Sequence, residues 1–204
     1  MRTLVIDSAT EACSVALFER EALVAGAYEI IGRGHAERLV PMIAELPGKG
    51  RADRVVVSLG PGSFTGVRIG LAAARALGLA WRAEVLGYPT LALVAAMAHE
   101  TDRRPVTVCM TGGHGEWFVQ DFGTDGLPER ELRSQKPEAA MHDAHHWFAA
   151  GSRAGELLLR DGTGMTALDI LPDARSFLLL PPALLTSDLT PLYGRPPDAR
   201  LPAA

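Results

Sequence analysis

The chain has 204 residues, of which 48% are hydrophobic and 22% charged, with a formal net charge of −4. This balance excludes an intrinsically disordered chain and leaves room for one large domain or two small lobes, each with a core. An acidic chain without a basic stripe is a poor solitary gripper of phosphate backbones, so any nucleic acid it serves is expected to be held mainly by a partner.

Leu4-Val5-Ile6 and Ser14 to Phe18 read as two strands, and the polar stretch Asp7 to Ala12 turns between them. Leu23 to Ile30 reads as a third strand. From His35 to Leu46, apolar residues at Leu39, Val40, Ile43 and Leu46 have helical spacing, and Pro47-Gly48 stops the helix. Val55 to Leu59 is a continuous apolar run of strand length, expected to be buried on both faces. A glycine-rich loop, Gly60 to Gly66, then opens an alanine-rich helix from about Val67 to Arg82. Val85 to Tyr88 reads as a short strand and Thr90 to His99 as a helix. The polar stretch Thr101 to Arg104 suggests a boundary between lobes of residues 1–103 and 104–204. Beyond it, Val106 to Met110 and Glu116 to Phe122 form a second strand pair around a glycine-rich turn. Leu127 to Leu180 mixes short apolar runs with Gly and Pro, and its elements have no legible order. The tail from Pro196 is Pro/Ala-rich and expected to be loose.

Cys13 and Cys109 each lie in an apolar strand-like run, which suits reduced core thiols better than a disulfide. Three apolar residues before Asp7 are too few for the core of a signal peptide, and Arg68, Arg75 and Arg82 interrupt the longest apolar run. A cytoplasmic protein that does not enter a membrane is the expectation. The order of hairpin, third strand, helix, buried strand and helix is that of one lobe of the actin-like, ribonuclease-H-like α/β fold, and the two strand-turn-strand openings suggest two lobes built alike.

The loop Gly60 to Gly66 follows a buried strand and opens a helix, a setting that suits anion binding because helix N-termini expose unpaired N–H groups. The detailed patterns fail. A phosphate-binding P-loop needs a lysine that is absent here, and Gly60, Gly62 and Gly66 are spaced one residue too long for a dinucleotide fingerprint. Ser63 and Thr65 are also good helix caps, so a tight strand-to-helix turn is the first reading and a phosphate contact the second. In the following helix Gly66, Gly70, Ala74 and Gly78 recur every four residues and form a face nearly bare of side chains. Gly70 and Gly78 each cost about 1 kcal/mol of helix propensity relative to alanine, which close packing must offset. The spacing leaves open whether that packing is on the chain's own sheet or on a partner.

Three blocks carry a family resemblance: Ile6 to Leu17, His35 to Ile43, and the most specific one, Gly60-Pro61-Gly62-Ser63-Phe64-Thr65-Gly66-Val67-Arg68-Ile69-Gly70. They resemble TsaB (YeaZ), the accessory subunit of the bacterial machinery that makes threonylcarbamoyladenosine at position 37 of tRNA. The resemblance is strong over the first hundred residues. Pro191-Leu192-Tyr193 with Arg195 resembles a C-terminal family signature, with Gly194 where an apolar residue is usual.

The resemblance implies an actin-like fold, pairing with the catalytic paralogue TsaD, assembly with the ATPase TsaE, and access to tRNA through the complex. It also implies that the first two helices form the partner interface, expected here at Leu39, Ile43, Val67, Gly70, Leu71, Ala74 and Gly78, with a homodimer possible when the chain is alone. TsaD holds a metal with a His-x-x-x-His pair shortly after the glycine-loop helix. Thr90 and Val94 stand at those positions here, and neither can replace a histidine ligand. ATP and a metal ion are therefore expected in the partner subunits and no cofactor in this chain. A vestigial nucleotide or phosphate contact would use Asp7, Ser8, Thr10, Gly60, Gly62, Ser63, Thr65 and Gly66. Thr111-Gly112-Gly113 replaces the Asp-Ala-Arg common in accessory subunits, removing a carboxylate and a cation from the second hairpin turn.

Three further features have a functional and a structural reading. His142 and His146 have chelating spacing if helical, but with Trp147 and Phe148 beside them they read first as surface residues of an amphipathic element. Trp117 and Phe118 could stack RNA bases, yet in a strand they read first as core. Arg51 and Arg54 could touch tRNA phosphates. The rival to an accessory subunit is a lone actin-like ATPase or glycoprotease-like metallohydrolase, which predicts tight nucleotide or metal binding by the isolated chain.

Overall fold

Two sheets of the same design form the frame of the computed structural model, which describes residues 1–157 and 166–194. The first contains β1 (Arg2–Asp7), β2 (Ala12–Glu19), β3 (Ala22–Ile30), β4 (Arg54–Ser58) and β5 (Glu84–Tyr88), in the order β3-β2-β1-β4-β5. The pairs β1–β2 and β2–β3 are antiparallel, and β1–β4 and β4–β5 are parallel. The second contains β6 (Val106–Thr111), β7 (Trp117–Phe122), β8 (Arg133–Gln135), β9 (Phe148–Ala150) and β10 (Thr166–Leu168), in the order β10-β9-β6-β7-β8. Here β6–β7 and β7–β8 are antiparallel, and β6–β9 and β9–β10 parallel. Strand for strand, the second sheet repeats the first, as the two similar hairpins suggest.

The helices are α1 (His35–Glu45), α2 (Phe64–Trp81), α3 (Thr90–Thr101), α4 (Pro137–Asp143) and α5 (Ala154–Leu157). Strand alternation assigns the two faces of the first sheet. Leu4, Ile6, Val15, Val55 and Val57 point to a core shared with α1 and α2, whereas Val5, Ala16 and Val56 point to the opposite face, toward α3 and the second sheet. Helix α3 is apolar almost all round, and Leu91 to Ala96 are buried between the sheets. Val108, Met110, Phe118 and Phe122 of the second sheet pack on the same helix cluster, so one continuous core joins the two halves. Cys109, Val119 and Ala149 turn outward to α4 and α5.

The bare face of α2 lies against its own sheet. A Cβ at Gly66 would sit 2.1 Å from the Ser8 carbonyl, one at Gly70 2.6 Å from Ser8 Oγ, and one at Gly78 2.3 Å from Val85 Cγ2. The expected partner interface is corrected on this point. Leu39, Ile43, Val67, Leu71 and Ala74 are buried core residues, and Gly70 and Gly78 are buried beside them, because the four-residue stripe lets α2 approach β1, β4 and β5 closely. Helix α2 also starts three residues before the expected Val67, capped by Ser63, whose Oγ accepts from the Gly66 N–H at 3.2 Å.

After β10 the chain returns to the first sheet. A short 3-10 turn, Ala174–Leu179, packs on β1, β2 and β3, and the Ala174 N–H donates to the buried Ser14 hydroxyl at 2.9 Å. Farther on, Gly87 and Thr186 exchange backbone hydrogen bonds, and the Leu192 N–H donates to Leu59. Residues 186–193 thus strap the open side of β5 and the start of α2. Both buried cysteines are free, as expected. Arg195 and the tail from Pro196 lie outside the described residues.

Candidate functional site

The two hairpin turns face each other across a cleft of about 780 Å³. From the first half it is lined by Ala9, Thr10 and Glu11 of the β1–β2 turn, by Pro61, Gly62, Ser63 and Phe64 of the glycine loop, and by Arg68. From the second half come Met110 to His114 and Phe118, and Tyr193 of the strap completes it.

The glycine loop has its shape because it presses on the β1–β2 turn. A Cβ at Gly62 would lie 2.0 Å from the Ala9 carbonyl oxygen, and the Ser63 N–H donates to that same carbonyl at 2.6 Å. Ser8 Oγ donates to the Gly66 carbonyl at 2.9 Å from the other side. The Ser63 and Gly66 N–H groups are therefore consumed within the fold. The loop seals the end of β1 instead of leaving these donors open.

Asp7 sits behind this seal with 1% of its surface exposed. Its Oδ1 accepts from the Ala9 N–H at 3.0 Å and its Oδ2 from the Tyr88 hydroxyl at 2.8 Å. Burial pushes the carboxyl up to about 6, and the two donors only partly oppose that rise. Beside it Ser58 and Thr90 share a hydroxyl–hydroxyl hydrogen bond of 2.6 Å. Burial, with Asp7 next to it, raises Tyr88 well above the usual phenol range.

Of the residues expected to make a nucleotide or phosphate contact, Thr10, Gly62 and Ser63 line the cleft. Asp7, Ser8, Gly60, Thr65 and Gly66 do not. Asp7, Ser8 and Gly66 are buried behind the turn, and Gly60 lies against the strap, where a Cβ would meet the Leu192 carbonyl at 2.8 Å. Among the carboxylates of the described residues, only Glu11 lines the cleft. These residues do not fit a metal–nucleotide complex of the kind the fold class can hold. The acid at the end of β1 is committed to Tyr88, and the second turn presents Thr111, Gly112 and Gly113.

The cleft's rim carries a cluster that the spacing did not single out. The Arg68 guanidinium lies 3.5 Å from the centre of the Phe64 ring, and its Nε donates to the Tyr193 hydroxyl at 3.2 Å; the Phe64 and Tyr193 rings are 5.5 Å apart. The i, i+4 spacing of Phe64 and Arg68 was a legible signal, but Tyr193 meets them only through the strap.

The remaining candidates resolve simply. Thr90 and Val94 are buried at the start of α3, filling core positions. Trp117 and Phe118 are core residues, as expected. His142 contacts Asp143, His146 contacts Glu129 and His145 contacts Arg130, with the His145 and His146 rings 5.4 Å apart, so His142 and His146 are tied to different carboxylates. Arg54 is paired with Glu84 at 2.7 Å, so Arg51 and Arg54 do not form a free basic pair. No helix among the described residues is long and apolar enough to cross a membrane.

Two copies of one mixed five-stranded sheet, facing each other across a cleft with a helix packed between them, define an actin-like ATPase fold. Structures of known proteins agree. YeaZ from Pseudomonas aeruginosa superposes with a TM-score of 0.74 at 29% identity, over 87% of this chain and 88% of that one. The ethanolamine utilization protein EutJ from Carboxydothermus hydrogenoformans shares the fold alone, with a TM-score of 0.52 at 11% identity, over 89% of this chain and 90% of that one. In sequence, the tRNA threonylcarbamoyladenosine biosynthesis protein TsaB of Escherichia coli is 30% identical over 96% of this chain and 95% of its own length. The family model for TsaD, tRNA N6-adenosine threonylcarbamoyltransferase, matches residues 29–147. The chain belongs to the TsaB (YeaZ) family, which shares this homology with TsaD.

Proposed function

We propose that this chain is a non-catalytic accessory subunit in the biosynthesis of threonylcarbamoyladenosine on tRNA, acting in the cytoplasm by pairing with a TsaD-like catalytic paralogue. The observation that carries the reading is the state of the β1 end. Asp7 is sealed behind the glycine loop and tied to Tyr88, and Thr90 and Val94 fill packed core positions where the paralogue carries its metal pair. ATP and the metal then belong to the partner subunits, a TsaE-like ATPase among them, and tRNA is reached through the complex.

The pairing surface follows from the corrected orientation of α2. With its bare face on the sheet, its outer face is formed by Ala72, Ala76, Leu79 and Ala80, and α1 adds Val40 and Ala44. Leu79 is 85% exposed and Val40 60%, which is costly for residues with no cover and suits a helix-on-helix interface. A homodimer through the same surface is the expected state of the isolated chain. The test is synthesis of threonylcarbamoyladenosine from the purified components with unmodified tRNA, with and without this chain. Loss of product on omission, with no ATP turnover by the chain alone, supports the reading. Full product without it overturns it.

A further inference from the structure

One wall of the cleft carries a cation with no counter-ion. Helical spacing puts Phe64 and Arg68 one turn apart on α2, and the Arg68 side chain runs back over the Phe64 ring, its guanidinium 3.5 Å from the ring centre. Its Nε donates to the Tyr193 hydroxyl at 3.2 Å, so the strap fixes the group from another side. Among the described residues these are its partners, and neither is a carboxylate. Its two terminal nitrogens, the end of the fork that grips a carboxylate through parallel hydrogen bonds, are left uncommitted. The sequence supplies no acid nearby, since no Asp or Glu lies between Leu59 and Ala83. Glu11 lines the same cleft but forms no ion pair with Arg68 among the described residues. The Phe64 and Thr65 N–H groups at the start of α2 also lack an acceptor among the described residues, so the helix end adds positive potential of its own. Other arginines of the surface have counter-ions: Arg38 with Glu29 and Glu45, Arg54 with Glu84, Arg153 with Glu156.

We propose that the cleft binds a small organic carboxylate with an apolar body, without a metal ion. Arg68 takes the carboxylate, and Phe64, Met110 and Phe118 cover the body. The volume of about 780 Å³ falls within the range of about 300–1,000 Å³ that small-molecule sites occupy, and such sites join apolar walls to a few placed polar groups. A guanidinium already held by Phe64 and Tyr193 loses little freedom when it binds, and an apolar surround strengthens its pairing with an anion. A nucleoside diphosphate or triphosphate is the weaker fit. It carries more negative charge than one guanidinium matches, and a metal ion to balance that charge would find only Glu11 among the described carboxylates of the cleft. The site lies between the two halves of the molecule and does not rest on the pairing surface of the outer helices.

The test titrates the full chain with naphthoate, and with neutral naphthylmethanol and cationic naphthylmethylammonium as probes with the same body, by calorimetry. The expected result is one site for naphthoate with a dissociation constant of about 1 mM or tighter, and at least about tenfold preference over either other probe. Arg68→Gln should abolish that preference. Arg68→Lys should keep part of it, because a point charge replaces the fork. Arg75→Gln alters an arginine of the same helix that does not line the cleft, and should leave the preference unchanged. Unfolding curves establish that each variant is folded, and Arg68→Lys carries the test if Arg68→Gln is not. Equal affinity for the three probes, a preference that survives in Arg68→Gln, or no saturable binding of naphthoate would each overturn the proposal. Tighter binding of ADP than of naphthoate, lost in Arg68→Gln, would overturn it in favour of a nucleotide. Because the chain is titrated alone, none of these outcomes bears on its role in threonylcarbamoyladenosine synthesis.

Discussion

The Tyr88 hydroxyl donates to Oδ2 of Asp7 at 2.8 Å, joining the end of β5 to the end of β1 at a point where both side chains are fully buried. In an actin-like fold the end of β1 is where an acid would meet a ligand. Here both oxygens of the acid accept hydrogen bonds from the fold itself, and its titration bears on stability.

The first prediction concerns pH. Burial holds the Asp7 carboxyl up at about 6 in the folded chain, against 3.8 in the unfolded one. Between these values the folded state binds more protons than the unfolded state, so stability falls as pH rises from about 4 to about 6 and is level above. The shift corresponds to roughly 3 kcal/mol as an upper bound. Asp7→Asn keeps the side-chain size and an acceptor, and should flatten this part of the profile. Urea unfolding at pH 4.5 and 7.5 checks it. An unchanged slope in the variant would assign the effect to another group.

Removing the donor should act in the opposite sense. Tyr88→Phe leaves the ring in place but takes one of two hydrogen bonds from a buried carboxylate. The expected loss at pH 7.5 is about 1–3 kcal/mol, with less at pH 4.5, where Asp7 is protonated. Equal losses at both pH values would show that the hydroxyl matters for packing alone.

Glycines in the loop and on α2 should separate sharply from a glycine with space around it. Gly62→Ala and Gly66→Ala place a Cβ about 2 Å from backbone carbonyls that cannot move without opening the β1–β2 turn. Each should cost roughly 2 kcal/mol or more. Gly155→Ala meets nothing within 4 Å and should change stability by less than about 1 kcal/mol in either direction. Thermal unfolding of the three variants is sufficient. A normal melting temperature for Gly62→Ala would mean that the loop is not pressed on the turn.

The two faces of α2 give the clearest contrast between folding and assembly. Gly70→Leu drives a side chain into Ser8 and Val57 and should unfold the first half. Leu79→Asp alters a residue that is 85% exposed and should leave unfolding curves within about 0.5 kcal/mol of the wild type while abolishing pairing with the TsaD-like subunit. Size-exclusion chromatography of the mixed proteins reads the second effect. Retained pairing in Leu79→Asp would move the interface off this face.

The first half of the fold was legible because its elements are long and locally patterned. Periodicity and turn residues sufficed for β1 to α3, and the β6–β7 hairpin was found the same way. In contrast, β8, β9 and β10 are three residues each and exist only through pairing with distant strands, so no local pattern marks them. The four-residue glycine stripe of α2 revealed that something approaches closely but not what. The spacing left the chain's own sheet and a partner both open, the resemblance gave the face to a partner, and the chain's own strands occupy it. At the cleft, Thr10, Gly62 and Ser63, three of the residues that the sequence offered for a phosphate contact, line the wall. It could not show that Asp7 faces Tyr88, or that Tyr193 joins Phe64 and Arg68, because those contacts span 81 and 125 residues.

The strap has a consequence for how the protein is made. Residues 186–193 pair with Gly87, bond Leu59 and hold Arg68 and Arg75, yet they are translated about a hundred residues after the elements they touch. On the ribosome, the first sheet and α2 emerge early and wait without this cover. A nascent chain can collapse around its core, but Arg68 and Arg75 gain their bonds to Tyr193 and Leu189 only when residues 186–193 arrive. A chain cut before residue 186 would therefore leave the open side of β5 and the start of α2 without this cover.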